Sequence, residues 1–223
     1  MAMTMKEAMG ARHTVRKYMD KPLPEEIVKK LKKRVSENNE AYGLAVELRT
    51  NDASAINALV KVLMTKGVKN FFVLSGADTP GLNEKLGECG ADLMLYAQTL
   101  GLNTWWAGGV YNKGKLNAEA NGNKVIGVIA VGYGSVQGTP HKSKTYADVA
   151  TYEGEAPDWF KEGVRAALLA PTAMNKQDFT ITGKGRNVRI RSSKEGAYSG
   201  ADLGIVKYHF EVGAGAENFI WDK

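Results

Sequence analysis

The sequence near the N-terminus reads Ala11-Arg12-His13-Thr14-Val15-Arg16-Lys17-Tyr18. Within five residues it carries two guanidinium groups, an imidazole and a hydroxyl. A guanidinium presents a fork of donors that matches phosphate oxygens, and a hydroxyl or ring N–H can satisfy the remaining lone pairs. The stretch therefore indicates either an anion site suited to phosphate or a solvated basic turn before a helix.

The length and composition are those of a globular protein. The 223 residues, 43% of them hydrophobic, can bury a large core in one domain or in two intimately packed halves. A single cysteine, Cys89, excludes an intrachain disulfide and fits a reducing compartment. No apolar run approaches the ~18 residues of a membrane span, and the first residues lack the apolar core of a secretory signal. We expect a cytoplasmic protein that does not associate with a membrane.

The positive charge leaves several classes of ligand open. The net charge of +6 is compatible with an anionic small molecule, a nucleotide cofactor or nucleic acid. The lysine-rich segment 29–34 resembles a nucleic-acid patch, but Ile27, Leu31 and Val35 recur every four residues through it. This pattern favours an amphipathic helix with a solvated basic face. Aromatic residues are not interleaved with the basic ones, so we predict no nucleic-acid partner and keep nucleic-acid binding as an alternative.

Hydrophobic periodicity predicts a mixture of helices and strands. Helices are expected over 24–37, 53–64 and 82–100, and strands over 43–49, 71–74, 103–107 and 125–133. Gly101 is expected to end the third helix. The apolar face of the second helix would consist of Ile56, Leu59, Val60 and Leu63.

Two pairs of segments look alike in the two halves of the chain. Residues 24–48 align with 157–181 at a constant offset of 133. Gly90-Ala91-Asp92-Leu93 recurs as Gly200-Ala201-Asp202-Leu203 at an offset of 110. The alternative explanation is chance, together with sequence features that many helices have in common. A true repeat would relate the halves by a pseudo-twofold axis, as in a symmetric dimer.

Four further segments carry motifs that agree with the N-terminal stretch. Residues 95–109 contain Leu-Gly-Leu and end in Gly-Gly, 125–134 form a strand ending in Gly-Tyr-Gly, 140–144 are basic, and 168–177 contain Ala-Pro-Thr-x-x-Asn-x-Gln. Together with residues 11–26, they resemble the FMN-dependent nitroreductase family. Within it, the chain is similar to the subgroup of nitroreductases with two fused half-domains that mimic the family dimer.

The resemblance implies an architecture. The expected fold is α+β and nitroreductase-like, with antiparallel-rich mixed sheets flanked by helices and two pseudo-twofold related halves. Residues 1–150 would form the first half, with the FMN phosphate and ring contacts. Residues 151–223 would form a second, shorter half that supplies the Pro-Thr-x-x-Asn loop, and both halves would pack into one globular unit. The protein would act as a monomer that is a fused pseudo-dimer, or as a homodimer.

The resemblance also implies one FMN site per chain. Phosphate contacts would come from Arg12, His13, Thr14 and Arg16, with Lys142 and Lys144 as a second phosphate pair. Contacts near the flavin ring would come from Trp106, Ala107, Gly108 and Gly109, although the family often has an acidic residue at the position of Gly108. The loop of the second half would contribute Pro171, Thr172, Ala173 and Asn175.

The implied activity is flavin chemistry. NAD(P)H would reduce FMN, leave, and be replaced by a small-molecule electron acceptor such as a nitroaromatic or a quinone, in a ping-pong cycle. The chemistry would be carried by FMN, so no catalytic side chain is assigned. A non-catalytic FMN-binding or regulatory protein remains an alternative. His13, His141 and His209 are scattered without ligand spacing, which argues against a metal site, and His209 is interpreted as a packing residue.

Overall fold

Two four-stranded sheets covered by helices form the protein. The computed structural model describes residues 2–222. The helices are α1 (Met5–Ala11), α2 (Glu25–Tyr42), α3 (Ala58–Leu63), α4 (Leu82–Thr99), α5 (Lys113–Glu119), α6 (Tyr146–Val149), α7 (Asp158–Ala167) and α8 (Ser199–Ala214). The strands are β1 (Glu47–Arg49), β2 (Phe71–Gly76), β3 (Asn103–Ala107), β4 (Lys124–Gly132), β5 (Ala150–Glu153), β6 (Phe179–Lys184), β7 (Asn187–Ser192) and β8 (Ile220–Trp221). The predicted α+β class with antiparallel-rich sheets is confirmed.

The first sheet has the order β1-β2-β4-β3 and is antiparallel throughout. Its central strand β2 is buried on both faces because its side chains alternate between two cores. Phe72 and Leu74 pack in the core that contains residues of α2 and α4, whereas Phe71 and Val73 pack on the opposite face with Val15. The N-terminal stretch is thereby attached to the first sheet.

The second sheet has the order β5-β6-β7-β8. β6 and β7 form an antiparallel hairpin, and β5 and β8 add to its two edges in parallel. Along β6 buried and exposed residues alternate, so one face of this sheet packs on helices and the other faces solvent. Its core is aromatic: Phe160 of α7 contacts Phe210 of α8 edge to face, with ring centroids 5.8 Å apart.

Helices α4 and α8 join the two cores. Small residues allow this close approach, because a Cβ added at Gly87 would lie 2.2 Å from the carbonyl oxygen of Ala201, and one at Gly204 would lie 2.0 Å from that of Glu84. The similar segments at 90–93 and 200–203 are therefore on two helices that pack against each other. In chain order α2 is followed by β1, α3, β2 and α4, whereas α7 is followed by β6, β7 and α8, so the two series differ by helix α3.

A buried ion pair reinforces the junction between the helices. Asp92 of α4 accepts hydrogen bonds from Arg34 and Asn38 of α2 and from the Tyr208 hydroxyl of α8. The carboxylate is 2% exposed, and its lone pairs are shared among several donors. The network ties one helix of the second half to two helices of the first.

Three predicted elements were wrong in extent. The helix expected over 53–64 spans only Ala58–Leu63, because Ile56 forms an extended bridge with Tyr111 and the Asn57 side chain caps the helix at Val60 N–H. Leu59 and Leu63, predicted to face the core, are 70% and 73% exposed. The helix expected over 24–37 continues to Tyr42, and the strand expected over 43–49 is reduced to β1, because Gly43 ends α2 in a left-handed conformation and only Glu47–Arg49 pair with β2.

Among residues 2–222 no helix is both long and apolar enough to cross a lipid bilayer. The lysines of α2 are largely neutralised on the surface: Lys29 pairs with Glu25, and Lys30 pairs with Glu26. The segment that resembled a nucleic-acid patch is thus a helix face with alternating charges, which weakens that alternative.

Candidate functional site

A cavity of about 320 Å³ is lined by residues of the N-terminal stretch, of β3 and the segment after it, of the 168–177 loop and of α8. Its volume falls at the lower end of the range typical of small-molecule sites, ~300–1,000 Å³. Most of the predicted site residues line it: Arg12, Thr14, Arg16, Trp106, Ala107, Gly108, Gly109, Pro171, Thr172 and Ala173. Residues of the first half and of the 168–177 loop therefore share one cavity.

The N-terminal stretch reaches the cavity because it runs beside β3. Thr14 forms a parallel bridge with Thr104, and the Val15 N–H donates to the Thr104 carbonyl at 3.0 Å. Side chains of extended backbone alternate in direction. Arg12, Thr14 and Arg16 consequently line the cavity, while Val15 is buried in the core of the first sheet.

Arg12 is the most unusual side chain of the cavity. It is 4% exposed, its guanidinium has no hydrogen-bond or ion-pair partner among the described residues, and its Nε is buried. Burial without a counter-ion lowers the pKa of Arg12 to about 10. Arg16 differs, because it is exposed and lies over the Trp105 ring, 5.4 Å from the centroid. Arg12 is thus a buried cation without a counter-ion among the described residues, and its charge is available to bind an anion.

The loop after α7 is held in place by its own hydrogen bonds. Gln177 N–H donates to the Thr172 hydroxyl at 3.0 Å, and the Gln177 side-chain amide donates to the Leu168 carbonyl at 2.9 Å. Ala173 N–H donates to both carboxylate oxygens of Asp202, each at 3.0 Å. Met174 adopts a left-handed conformation (φ 52°) and is 77% exposed at the cavity wall. Hydrogen bonds within the loop and to α8 therefore hold this wall of the cavity.

The wall formed by the end of β3 contains little side-chain bulk. A Cβ at Gly109 would lie 2.7 Å from the Tyr198 hydroxyl oxygen, and one at Gly108 would lie 3.1 Å from the Tyr198 ring. These glycines allow a flat group or the Tyr198 ring to approach the backbone. Trp106 packs its ring on α4, where a Cβ at Gly90 would lie 2.2 Å from it. Packing is therefore the main structural role of Trp106.

Four predicted residues do not line the cavity: His13, Lys142, Lys144 and Asn175. Lys144 Nζ donates to the Gln177 carbonyl at 2.8 Å, and the Asn175 side chain donates to the Lys142 carbonyl at 2.7 Å. Segment 142–144 thus fastens the 168–177 loop, and in this structure the two lysines lie behind the loop and outside the cavity lining.

The sequence interpretation missed two polar residues that line the cavity, Tyr198 and Asp202. Burial, reinforced by the nearby Asp178, raises the pKa of Asp202 to about 6, while the hydrogen bond from Ala173 N–H opposes the shift. The recurrence of Gly-Ala-Asp-Leu at 200–203 was the available signal. Seven apolar residues of the lining were missed as well: Met64, Met94, Trp105, Val110, Met174, Ala201 and Ile205.

A second cavity of about 240 Å³ adjoins the first. Both are lined by Thr172, Ala173, Met174, Tyr198 and Asp202. The second cavity also contains charged groups of both signs, including Lys194 and Asp178. A ligand larger than the first cavity could extend past Tyr198 into the second.

Comparisons with known proteins identify the family and support the fold. A family model described as "Putative TM nitroreductase" matches residues 4–214. A nitroreductase structure from Thermotoga maritima has a TM-score of 0.66 at 19% identity and covers 95% of this chain and 84% of its own. No functionally curated protein matches the chain.

Other nitroreductase structures match a smaller part of the chain. A nitroreductase-like protein from Streptococcus mutans has a TM-score of 0.53 at 18% identity and covers 63% of this chain and 94% of its own. A nitroreductase from Desulfovibrio desulfuricans, solved in complex with FMN, has a TM-score of 0.54 at 16% identity and covers 66% and 95%. Such identities establish a shared fold. With the family model matching nearly its whole length, the chain belongs to the family described as "Putative TM nitroreductase".

Proposed function

We propose that the protein is an FMN-dependent oxidoreductase that takes electrons from NAD(P)H and passes them to a small acceptor such as a nitroaromatic or a quinone. The observation that carries this proposal is Arg12, a buried guanidinium without a partner in the wall of the shared cavity. A buried charge is stable only with compensation, and the phosphate of FMN supplies the missing anion. The FMN complex of the Desulfovibrio desulfuricans protein supports the choice of ligand.

The remaining wall fits the other parts of FMN. Thr14 and Arg16 stand on the same side of the chain as Arg12 and can bind the phosphate and the ribityl hydroxyls. Gly108 and Gly109 carry no Cβ, so the edge of a planar ring could approach their backbone N–H groups in the place where the Tyr198 ring lies in this structure. Pro171 to Ala173 close the cavity from the second half. Bound FMN would supply hydride and electron transfer, while these residues bind it, orient it and exclude water.

We also propose that the second half replaces the partner subunit of a dimer. The support is that nitroreductases matched over nearly their whole length cover about two thirds of this chain, 63% and 66% for two of them. The division at residue 150 falls at the start of β5, which belongs to the second sheet. In this arrangement one chain builds one complete site and works as a monomer in the cytoplasm, where NAD(P)H is available.

An absorbance scan tests the flavin assignment. We expect purified protein to be yellow with about one FMN per chain, or a colourless preparation to take up added FMN and quench its fluorescence. A protein that stays colourless and does not bind FMN would contradict the proposal.

A kinetic assay then separates an enzyme from a flavin-binding protein without activity. The holoprotein is expected to oxidise NADH or NADPH in the presence of menadione or nitrofurazone, with the parallel double-reciprocal plots of a ping-pong cycle. Bound FMN without any NAD(P)H oxidation would support a regulatory role.

A further inference from the structure

Helix α3 exposes an apolar surface. Leu59 and Leu63 are separated by one turn and lie on the same side of the helix, and both are exposed, as are Val62 and Met64. We call these four residues the apolar rim. Single exposed apolar residues are ordinary in globular proteins, whereas a contiguous group of them marks a binding surface.

The hydrogen bonds at the two ends of α3 place the apolar rim beside the first cavity. At its start, the Asn57 side chain donates to the Val110 carbonyl at 3.3 Å, and beyond its end Lys66 N–H donates to the Arg16 carbonyl at 3.0 Å. Val110, Arg16 and Met64 all line the cavity. The helix therefore runs along the edge of the cavity, from the segment after β3 to the N-terminal stretch.

Another exposed apolar side chain, Met174, stands on the wall formed by the 168–177 loop. Met64 and Met174 have unbranched, polarizable side chains, which adapt to apolar ligands of different shapes. Arg12, by contrast, is buried in the same cavity. The cavity thus contains a buried cation, and its exposed edge is apolar. A second ligand that approaches bound FMN from solvent would meet apolar side chains first.

We propose that the apolar rim and Met174 bind the apolar chain of the electron acceptor, and that this acceptor is a quinone with an alkyl or isoprenoid chain. The inference rests on the proposed function, because it names the class of acceptor that is reduced at that site. Quinones are the type of acceptor in the proposed function that carries such chains. The reaction balances without another reactant, since NAD(P)H supplies a hydride and solvent supplies one proton, and together they convert the quinone into a quinol.

The size and place of the apolar rim favour a ligand chain over a protein partner. α3 has six residues and is therefore about 9 Å long, which matches a chain of several carbon atoms. A stable protein interface buries about 800 Å² on each partner, much more than one such helix presents. The apolar rim also shares Met64 with the cavity, so a chain attached to a bound ring reaches it directly.

Steady-state kinetics with two quinones tests the proposal. The ubiquinone headgroup without a chain is compared with decylubiquinone, which has the same headgroup and a decyl chain, below the concentration at which the latter aggregates. Contact on one side buries each CH₂ group about halfway, which should raise kcat/KM about twofold per group. With about four groups in contact, kcat/KM for decylubiquinone should be at least about tenfold higher, mainly through a lower KM.

A double variant locates the chain. Leu59→Gln with Leu63→Gln removes the apolar ridge of α3 and introduces residues of good helix propensity. The ratio of kcat/KM for decylubiquinone to that for the chain-free quinone should fall about five- to tenfold. Ile220→Gln, at an exposed apolar residue of β8 outside the lining of both cavities, is the matched control and should leave this ratio unchanged. NAD(P)H oxidation with the same ratio in the wild type and the double variant would overturn the inference and leave the proposed function intact.

A binding measurement covers the case in which the protein does not oxidise NAD(P)H. Equilibrium dialysis then compares the binding of the two quinones to the purified protein. If decylubiquinone binds at least about tenfold tighter and the double variant loses this gain, the apolar rim is a site for an apolar ligand and the proposed function is wrong. If the chain makes no difference to binding, both are overturned.

Two other occupants of the apolar rim would contradict the inference. Co-sedimentation of the wild type with quinone-free phosphatidylglycerol vesicles, lost in the double variant, would assign the apolar rim to a lipid surface. A concentration-dependent dimer that the double variant abolishes in analytical ultracentrifugation would assign it to a second copy of this chain. Either result would overturn the assignment to the acceptor.

Discussion

Replacement of Arg12 by methionine should stabilise the apoprotein. Burial lowers the Arg12 pKa to about 10. This shift corresponds to a desolvation penalty of about 3 kcal/mol, which reduces the free energy of unfolding at neutral pH. Methionine is of similar length, is flexible and removes the charge without leaving a large void. Because Arg12 makes no hydrogen bond in the apoprotein, we expect Arg12→Met to raise the free energy of unfolding by about 1–3 kcal/mol.

The same substitution should weaken FMN binding. A charge-assisted hydrogen bond contributes about 1.5–3 kcal/mol, so losing the contact between Arg12 and the phosphate should raise the dissociation constant of FMN about ten- to a hundredfold or more. Riboflavin has no phosphate, and its affinity should change less than about twofold. Stability and affinity therefore move in opposite directions, which a general packing defect would not produce.

Thermal melts of the apoprotein and fluorescence titrations with both flavins measure these effects. We expect the Tm of Arg12→Met to exceed that of the wild-type apoprotein by about 3–10 °C. Arg191→Met, at an exposed arginine of β7 outside the cavity lining, is the matched control and should change neither quantity. A melting point at or below that of the wild type, together with unchanged FMN affinity, would refute the assignment of Arg12 as an unpaired cation reserved for the cofactor.

Three further substitutions and one control, Gly114→Ala, probe the junction of α4 and α8, the Asp92 network and the cavity residue Asp202. In urea melts, Gly204→Ala should lower the unfolding free energy by at least about 2 kcal/mol, because the new Cβ would lie 2.0 Å from a backbone oxygen. Gly114→Ala on α5, where a Cβ would contact nothing, is the control and should be neutral or slightly stabilising. Asp92→Asn should lower the unfolding free energy by about 1–3 kcal/mol, because it removes the charge-assisted hydrogen bonds of a buried carboxylate to Arg34, whose side chain is 33% exposed and also pairs with Glu37. Equal urea melts of the variant and the wild type would contradict this. The raised pKa of Asp202, about 6, means that the native state binds more protons than the unfolded state at pH 4–6, so wild-type stability should fall as pH rises through this window. Asp202→Asn should abolish this decrease in stability. If urea melts show that the unfolding free energies of the variant and the wild type change with pH in the same way, the assignment to Asp202 is wrong.

Long apolar elements were predictable because their burial follows directly from their pattern. The strand expected over 103–107 is β3, and the helix expected over 82–100 is α4 within a residue. Gly101 follows α4 in a left-handed conformation (φ 76°), as expected of a residue that ends a helix. In these segments local pattern and tertiary packing favour the same structure, so the sequence is sufficient.

The segment over 53–64 shows where the pattern fails. Its apolar residues have helical spacing, yet Ile56 is buried in an extended bridge, whereas Leu59 and Leu63 face solvent beside the cavity residue Met64. Spacing records which residues could share a face, and it contains no information about whether a partner surface exists. The bridge between Ile56 and Tyr111, which is distant in sequence, keeps this part of the segment extended.

The site was predictable where its residues follow extended backbone or a loop with a recognisable motif. The resemblance indicated Arg12, Thr14, Arg16 and the Pro171–Thr172 loop, and these residues line one cavity. It also indicated Lys142 and Lys144, but a resemblance of short motifs does not reveal that Lys144 donates to the carbonyl of Gln177. Which partner a flexible lysine finds depends on the folded loop.

The sequence could not reveal that Arg12 is buried without a partner, because its surroundings depend on how distant segments pack around the cavity. A carboxylate beside Arg12 would neutralise the guanidinium and stabilise the apoprotein. Among the described residues, however, Arg12 Nε has no hydrogen-bond partner, and burial is the cause that lowers the Arg12 pKa. The positive charge of Arg12 therefore stays available for an anionic ligand, and the stability withheld from the apoprotein becomes affinity for that ligand.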